Sequence, residues 1–247
     1  MTCGATSAHK RPVPFGVKIS EELLGDAAPV LSQGGIVAGI EDAARTGYDA
    51  AELHVRDPRS LDVAAIRSAA RAAGVTVSAI GTGLEYTKNG LSMTSDDPAI
   101  RERMNDRFRE HIELAADFAA TAGVTLVLEP VAYYFSSLLN TTAESLEFLR
   151  RPGLESVELL LDTHHMLLED PDIPATFRLA ADRLAYVHAS DSNRRSPGSG
   201  NIDFSAVARA LAEIGYTGTV SVEVLPFPDG PRAAVESISE FGRVFAS

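Results

Sequence analysis

Val157-Glu158-Leu159-Leu160-Leu161-Asp162 is the stretch on which the fold turns, and it runs directly into Thr163-His164-His165-Met166. VELLLD carries apolar residues on both alternating faces, Val157, Leu159 and Leu161 on one and Leu160 on the other, as in a strand covered on each side. Two other runs behave alike: Val124–Pro130 (VTLVLEP) and Val220–Pro226 (VSVEVLP). Strands covered on both faces belong to parallel sheets with helices packed outside them.

The flanking sequence supplies those helices. Strands are expected at Phe15–Ser20, Tyr48–Arg56, Val75–Ile80, Val124–Val131, Val157–Asp162, Leu184–Ser190 and Thr219–Leu225. Amphipathic runs at Gly34–Gly47, Val63–Gly74, Pro98–Gly123, Thr142–Leu149, Ile173–Arg183, Phe204–Gly215 and Pro231–Phe245 predict the helices between them. Asp62 and Asp96 or Asp97 are suited to N-caps, and Gly47 and Gly74 to helix stops. Gly81–Gly90 reads as a glycine-rich loop. The alternation predicts an α/β (β/α) TIM-type barrel. Seven strands are countable where eight are usual, so the barrel is expected to be one βα unit short.

The 247 residues suit one large domain, with residues 1–14 as a disordered N-terminal lead and 15–247 as the barrel. The single cysteine, Cys3, sits in that lead, so no internal disulfide can form. No run approaches the length of a membrane span or a signal segment. A cytoplasmic protein with no membrane partner is expected. A net charge of -12 argues against a nucleic-acid partner, because phosphate backbones are repelled.

Four expected strands end in a polar residue: Glu129, Asp162, His188 and Glu223. A carboxylate at the end of a buried strand is costly unless paired or bound to a cation. In a parallel barrel these ends meet on one rim, where chemistry resides. Three carboxylates and an imidazole suit Mn²⁺, with Mg²⁺ and Co²⁺ as alternatives. His164 and His165 follow Asp162, and at least one should face the same rim. Arg194 lies six residues past His188, where its planar fork could hold a substrate oxygen. Glu52 and His54 sit one alternation apart and read equally well as site or packing residues. The loop GTGLEYTKNG is no dinucleotide or Walker loop, and there is no G-x-S-x-G nucleophile motif.

Several stretches together resemble the xylose-isomerase-like barrels, and among them the ketose 3-epimerases related to D-tagatose 3-epimerase and 5-keto-L-gluconate epimerase. These are AAELHVRDP from Ala50, SAIGTGLEY from Ser78, GLSMTSDDPAIRER from Gly90, LEP from Leu128, DTHHM from Asp162, HASDSNRRSPGSGNIDF from His188 and VSVEVLPFP from Val220. The resemblance implies a divalent-metal-dependent epimerase or isomerase of a ketose or keto-sugar acid. It implies Glu129, Asp162, His188 and Glu223 as metal ligands, Glu129 and Glu223 as the acid/base pair, and His165 and Arg194 as substrate contacts. The proton beside the carbonyl would leave through a cis-enediolate, whose charge a divalent cation offsets.

The same proton abstraction also serves a dehydratase of a polyol or inosose, and a barrel that kept the motifs without activity is a third reading. Apurinic-site endonuclease chemistry fits poorly, because it needs more histidines and a basic face. Ala132, Tyr133 and Phe135 stand where the resembled family carries polar residues. An aromatic wall and a less hydroxylated substrate end are expected there. A sheet with an unpaired edge would favour a homodimer.

Overall fold

The computed structural model describes residues 11–119 and 123–246. Among these residues eight parallel strands form one sheet: β1 (Phe15–Ser20), β2 (Ser32–Gln33), β3 (Ala50–His54), β4 (Thr76–Gly81), β5 (Leu126–Leu128), β6 (Val157–Asp162), β7 (Leu184–Ala189) and β8 (Val220–Val222). Seven of them follow the order β4-β3-β1-β8-β7-β6-β5, and the two-residue β2 attaches to β1. Among the described residues nine α-helices join them: α1 (Ile36–Thr46), α2 (Val63–Ala73), α3 (Gly83–Thr87), α4 (Pro98–Phe118), α5 (Thr142–Leu149), α6 (Thr163–Glu169), α7 (Ile173–Leu179), α8 (Phe204–Glu213) and α9 (Gly230–Val244).

The first and last strands meet, since β1 pairs with β8 from Phe15↔Val220 to Val17↔Val222. Among the described residues β4 pairs only with β3, and β5 only with β6. The wall is therefore an incomplete barrel whose opening lies between β4 and β5. That is where the expected missing βα unit falls, with the short α3 and the long α4 the helices described in the interval and no strand among the described residues there.

The central strands β1, β7 and β8 hold because both faces are covered. All six residues of β1 are buried, and Phe15 packs its ring 5.0 Å from Phe241 and 5.4 Å from Phe245 of the closing helix region. Each such buried aromatic contributes on the order of 1.5–3 kcal/mol by leaving water. The caps expected from sequence are present. Asp62 accepts from Ala65 N, Asp97 from Ala99 N, and Gly47 ends α1 at φ 98°.

Several expectations are corrected. The strand expected over Val124–Val131 shortens to Leu126–Leu128, the three residues in register with Val157–Leu159 of β6. The helix expected to reach Gly123 ends at Phe118, and residues 120–122 lie outside the described part. The glycine-rich loop contains the short helix α3. Ile173–Arg183 divides into α7 and a 3-10 turn at Ala181–Arg183. Helix α6 was not anticipated; the Asp162 carboxylate caps it by accepting from His164 N. The lead expected to be disordered over residues 1–14 is packed from Arg11 onward. Val13 is in the core, Arg11 pairs with Asp49 at 2.9 Å, and Pro14 O accepts from Val220 N. Residues 1–10 lie outside the described part.

Candidate metal centre

The parallel ladder sets the four strand-end residues at one level. Asp162 and His188 are register partners on β6 and β7, and His188 is level with Ser221 on β8. Glu223 follows β8, with its N–H still donating to Ala189 O at 3.3 Å. Glu129 follows β5 directly. One ligand atom from each of Glu129, Asp162, His188 and Glu223 lies within 4.8 Å of all the others. Ligands about 2.0–2.4 Å from a shared cation span up to about twice that distance, so the separation is that of one coordination shell. The sequence singled out this set, and the fold brings it together.

The surrounding charges are strongly coupled. His188 Nε2 lies 2.7 Å from Glu52 Oε2, and its Nδ1 lies 2.6 Å from Glu223 Oε2 and 3.4 Å from Glu129 Oε1. Burial pushes the imidazole down, yet the charges of Glu52 and Glu223 overcome it and hold His188 well above its ordinary range. Burial also pushes Glu223 up, and Lys18, His188 and Arg194 outweigh it, leaving the carboxyl well below the usual range. Glu52, with His188 and Lys18 overcoming its burial, is lowered to about 2.

Glu223 Oε2 is buried and close to cations, yet no donor meets it with hydrogen-bond geometry. Such an orphaned carboxylate oxygen costs free energy unless a cation supplies what hydrogen bonds do not. Together with the oxygen-rich donor set it fits a divalent ion held by Glu129, Asp162, His188 and Glu223. Glu52 on Nε2 leaves Nδ1 as the imidazole nitrogen that turns toward the carboxylates.

Arg194 was expected to meet a substrate oxygen. Its guanidinium pairs with Asp162, donates to Ser190 Oγ at 2.9 Å and lies 3.2 Å from Glu223 Oε2. The loop that carries it is built around Asp191, which is fully buried and accepts from the N–H groups of Ser192 (2.7 Å), Gly198 (2.9 Å) and Ile202 (3.0 Å). His165 is buried on α6, its Nδ1 has no hydrogen-bond partner, and its ring stands edge-on to Phe135 at 5.7 Å. Tyr133, Tyr134 and Phe135 are exposed, and Tyr134 Oη lies 3.1 Å from His164 Nε2. The aromatic wall expected past Glu129 thus lines the mouth beside the two histidines.

Sequence reasoning missed Lys18 and left Glu52 undecided. Lys18 Nζ sits 2.7 Å from Glu223 Oε1 and 3.4 Å from Glu52 Oε1. The available signal was a lysine inside the apolar run FGVKIS.

Residues 101–241 match the family described as xylose isomerase-like TIM barrel, and the chain belongs to that family. An L-ribulose 3-epimerase from Mesorhizobium japonicum is 44% identical over 108 residues, covering 44% of this chain and 36% of that relative. A D-psicose 3-epimerase from Agrobacterium fabrum is 29% identical over 227 residues, covering 74% of this chain and 77% of the relative. Among solved structures, D-allulose 3-epimerase from Methylomonas sp. in complex with D-allulose superposes with TM-score 0.78 at 23% identity, covering 95% of this chain and 98% of that one. The relatives are isomerase-class enzymes, and the solved structure supports the fold.

Proposed function

We propose that this chain is a divalent-metal-dependent epimerase of a ketose or keto-sugar acid. The observation that carries the reading is the convergence of Glu129, Asp162, His188 and Glu223 within 4.8 Å at the C-terminal ends of adjacent strands. The 3-epimerase names of the relatives point to the same class.

A bound divalent cation, Mn²⁺ by preference and Mg²⁺ or Co²⁺ as alternatives, would stabilise negative charge on the substrate oxygens as the proton leaves. The remaining work falls to the chain. Glu129 or Glu223 takes the proton from the carbon beside the carbonyl. The other returns a proton to the opposite face, so one C–H bond breaks and one forms with inversion. Glu129 is the more exposed of the two, and Glu223 is held between cations. Arg194 and His165 orient the substrate. The rings of Tyr133 and Phe135 favour a substrate end with few hydroxyls. Among the described residues no helix is long and apolar enough to cross a membrane. A cytoplasmic location, and a homodimer covering the β4–β5 opening, complete the proposal.

The test is Mn²⁺ titration of metal-stripped protein by calorimetry, followed by ketose turnover in deuterated water. One-site binding, with inversion and deuterium at the carbon beside the carbonyl, supports the reading. A folded protein that binds no divalent metal overturns it. Loss of water in place of inversion moves the chain to dehydratase chemistry.

A further inference from the structure

The acidic cluster is stitched together by a residue outside the ligand set. Lys18 is on the central strand β1, which pairs with β3 on one side and β8 on the other. Its register partner on β3 is Glu52, and β8 leads into Glu223. Four side chains close a ring. Glu223 Oε1 meets Lys18 Nζ at 2.7 Å, and Lys18 Nζ meets Glu52 Oε1 at 3.4 Å. Glu52 Oε2 meets His188 Nε2 at 2.7 Å, and His188 Nδ1 meets Glu223 Oε2 at 2.6 Å. Each carboxylate oxygen and each imidazole nitrogen lies in a close charge contact of the ring, although Glu223 Oε2 has no donor with hydrogen-bond geometry.

We propose that Lys18 is a positioning residue that holds Glu223 by Oε1, so that Oε2 is presented to the metal-binding cluster. This rests on reading Glu223 as a metal ligand. A lysine on a wholly buried strand is costly. Its ammonium loses its hydration and its stem loses rotamer freedom, and an apolar residue of the same length would often be neutral or better for stability. Only 5% of Lys18 is exposed, so solvent does not relieve that cost. A bound cation would take up His188 Nδ1 and Glu223 Oε2, replacing the one direct contact between those two atoms. The Lys18 contact with Oε1 does not involve the ligand atoms, so it persists and keeps the carboxylate from turning.

The rival account is that Lys18 only balances charge. The two accounts predict opposite signs. Removing a positive charge beside a dication site strengthens attraction for the dication, so charge balance alone predicts tighter Mn²⁺ binding in Lys18→Met. Positioning predicts weaker binding despite the extra negative charge, by about 10–100-fold, the range for loss of an outer-shell partner. Because Lys18→Met leaves two buried carboxylates facing each other, the double variant Lys18→Met/Glu52→Gln is measured beside it. The double variant removes one charge of each sign and restores the balance.

Mn²⁺ calorimetry on both variants, with Glu52→Gln alone as reference, reads the answer without turnover. Weaker binding in the double variant than in Glu52→Gln supports positioning, with a lowered kcat at little-changed KM as the kinetic counterpart. Binding equal to Glu52→Gln or tighter, in folded protein, overturns it. Wild-type protein that binds Mn²⁺ but turns over no ketose would count against the epimerase reading and leave this comparison intact.

Discussion

His188 and Glu52 face each other across the sheet interior, Nε2 to Oε2 at 2.7 Å, although they are 136 residues apart in the chain. The contact occupies the imidazole nitrogen that is not turned toward Glu129 and Glu223. Glu52 therefore orients the ring and raises its basicity. Glu52→Gln keeps the shape and removes the charge. Divalent-metal affinity should fall by about 10–100-fold, read by calorimetry. Unchanged affinity would show that Glu52 is packing and no more.

Metal should also stabilise the fold, because the ligands come from four separate strand ends. At Mn²⁺ a hundredfold above Kd the gain is about 2.7 kcal/mol. For a protein of this size that raises Tm by roughly 5–10 °C. Thermal unfolding with and without Mn²⁺ should show the shift in the wild type. It should be absent in Asp162→Asn and Glu223→Gln. A shift that survives in both variants would place the ion elsewhere.

His54 links stability to pH. Burial, and then the Lys18 charge, push its imidazole down to about 3, and its buried Nδ1 has no hydrogen-bond partner. The folded protein keeps this ring neutral, while the unfolded chain protonates it near pH 6.5. Stability from this group is fully present above about 6.5 and is lost as pH falls toward 3. The slope is at most about 1.4 kcal/mol per unit. Urea unfolding at pH 7 and pH 5 should show the wild type losing more stability than His54→Asn. Equal losses would mean that the ring is protonated in the folded state.

Asp191 should matter to the loop that carries Arg194. Replacing it with alanine strands three backbone N–H groups that its carboxylate now satisfies. The expected cost is about 3 kcal/mol, since each buried donor left unpaired is costly. Metal affinity should change as well, because Arg194 pairs with Asp162 and Glu223. Chemical denaturation that shows a loss below about 0.5 kcal/mol would mean that the loop is held by other contacts.

The amino-acid sequence by itself determined the alternation of strands and helices, the shortfall of one βα unit and the four strand-end polar residues that converge in the fold. The physical reason is local. A strand buried on both faces must be apolar, so a polar residue at its end stands out, as Glu129, Asp162, His188 and Glu223 do. Caps were legible for the same reason, since Asp62 and Asp97 act on N–H groups two or three residues away. Tertiary structure decided what depends on register between distant strands. Whether Glu52 faces the cluster, and whether Lys18 reaches it, follows from which residues of β1, β3 and β8 lie level. No local pattern encodes that. The same holds for α6, whose start is the metal-ligand candidate Asp162 itself, so its first turn reads as site chemistry before it reads as a helix. The extent of β5 was decided by pairing too: VTLVLEPV is apolar enough for eight residues of strand, but only Leu126–Leu128 come into register with β6.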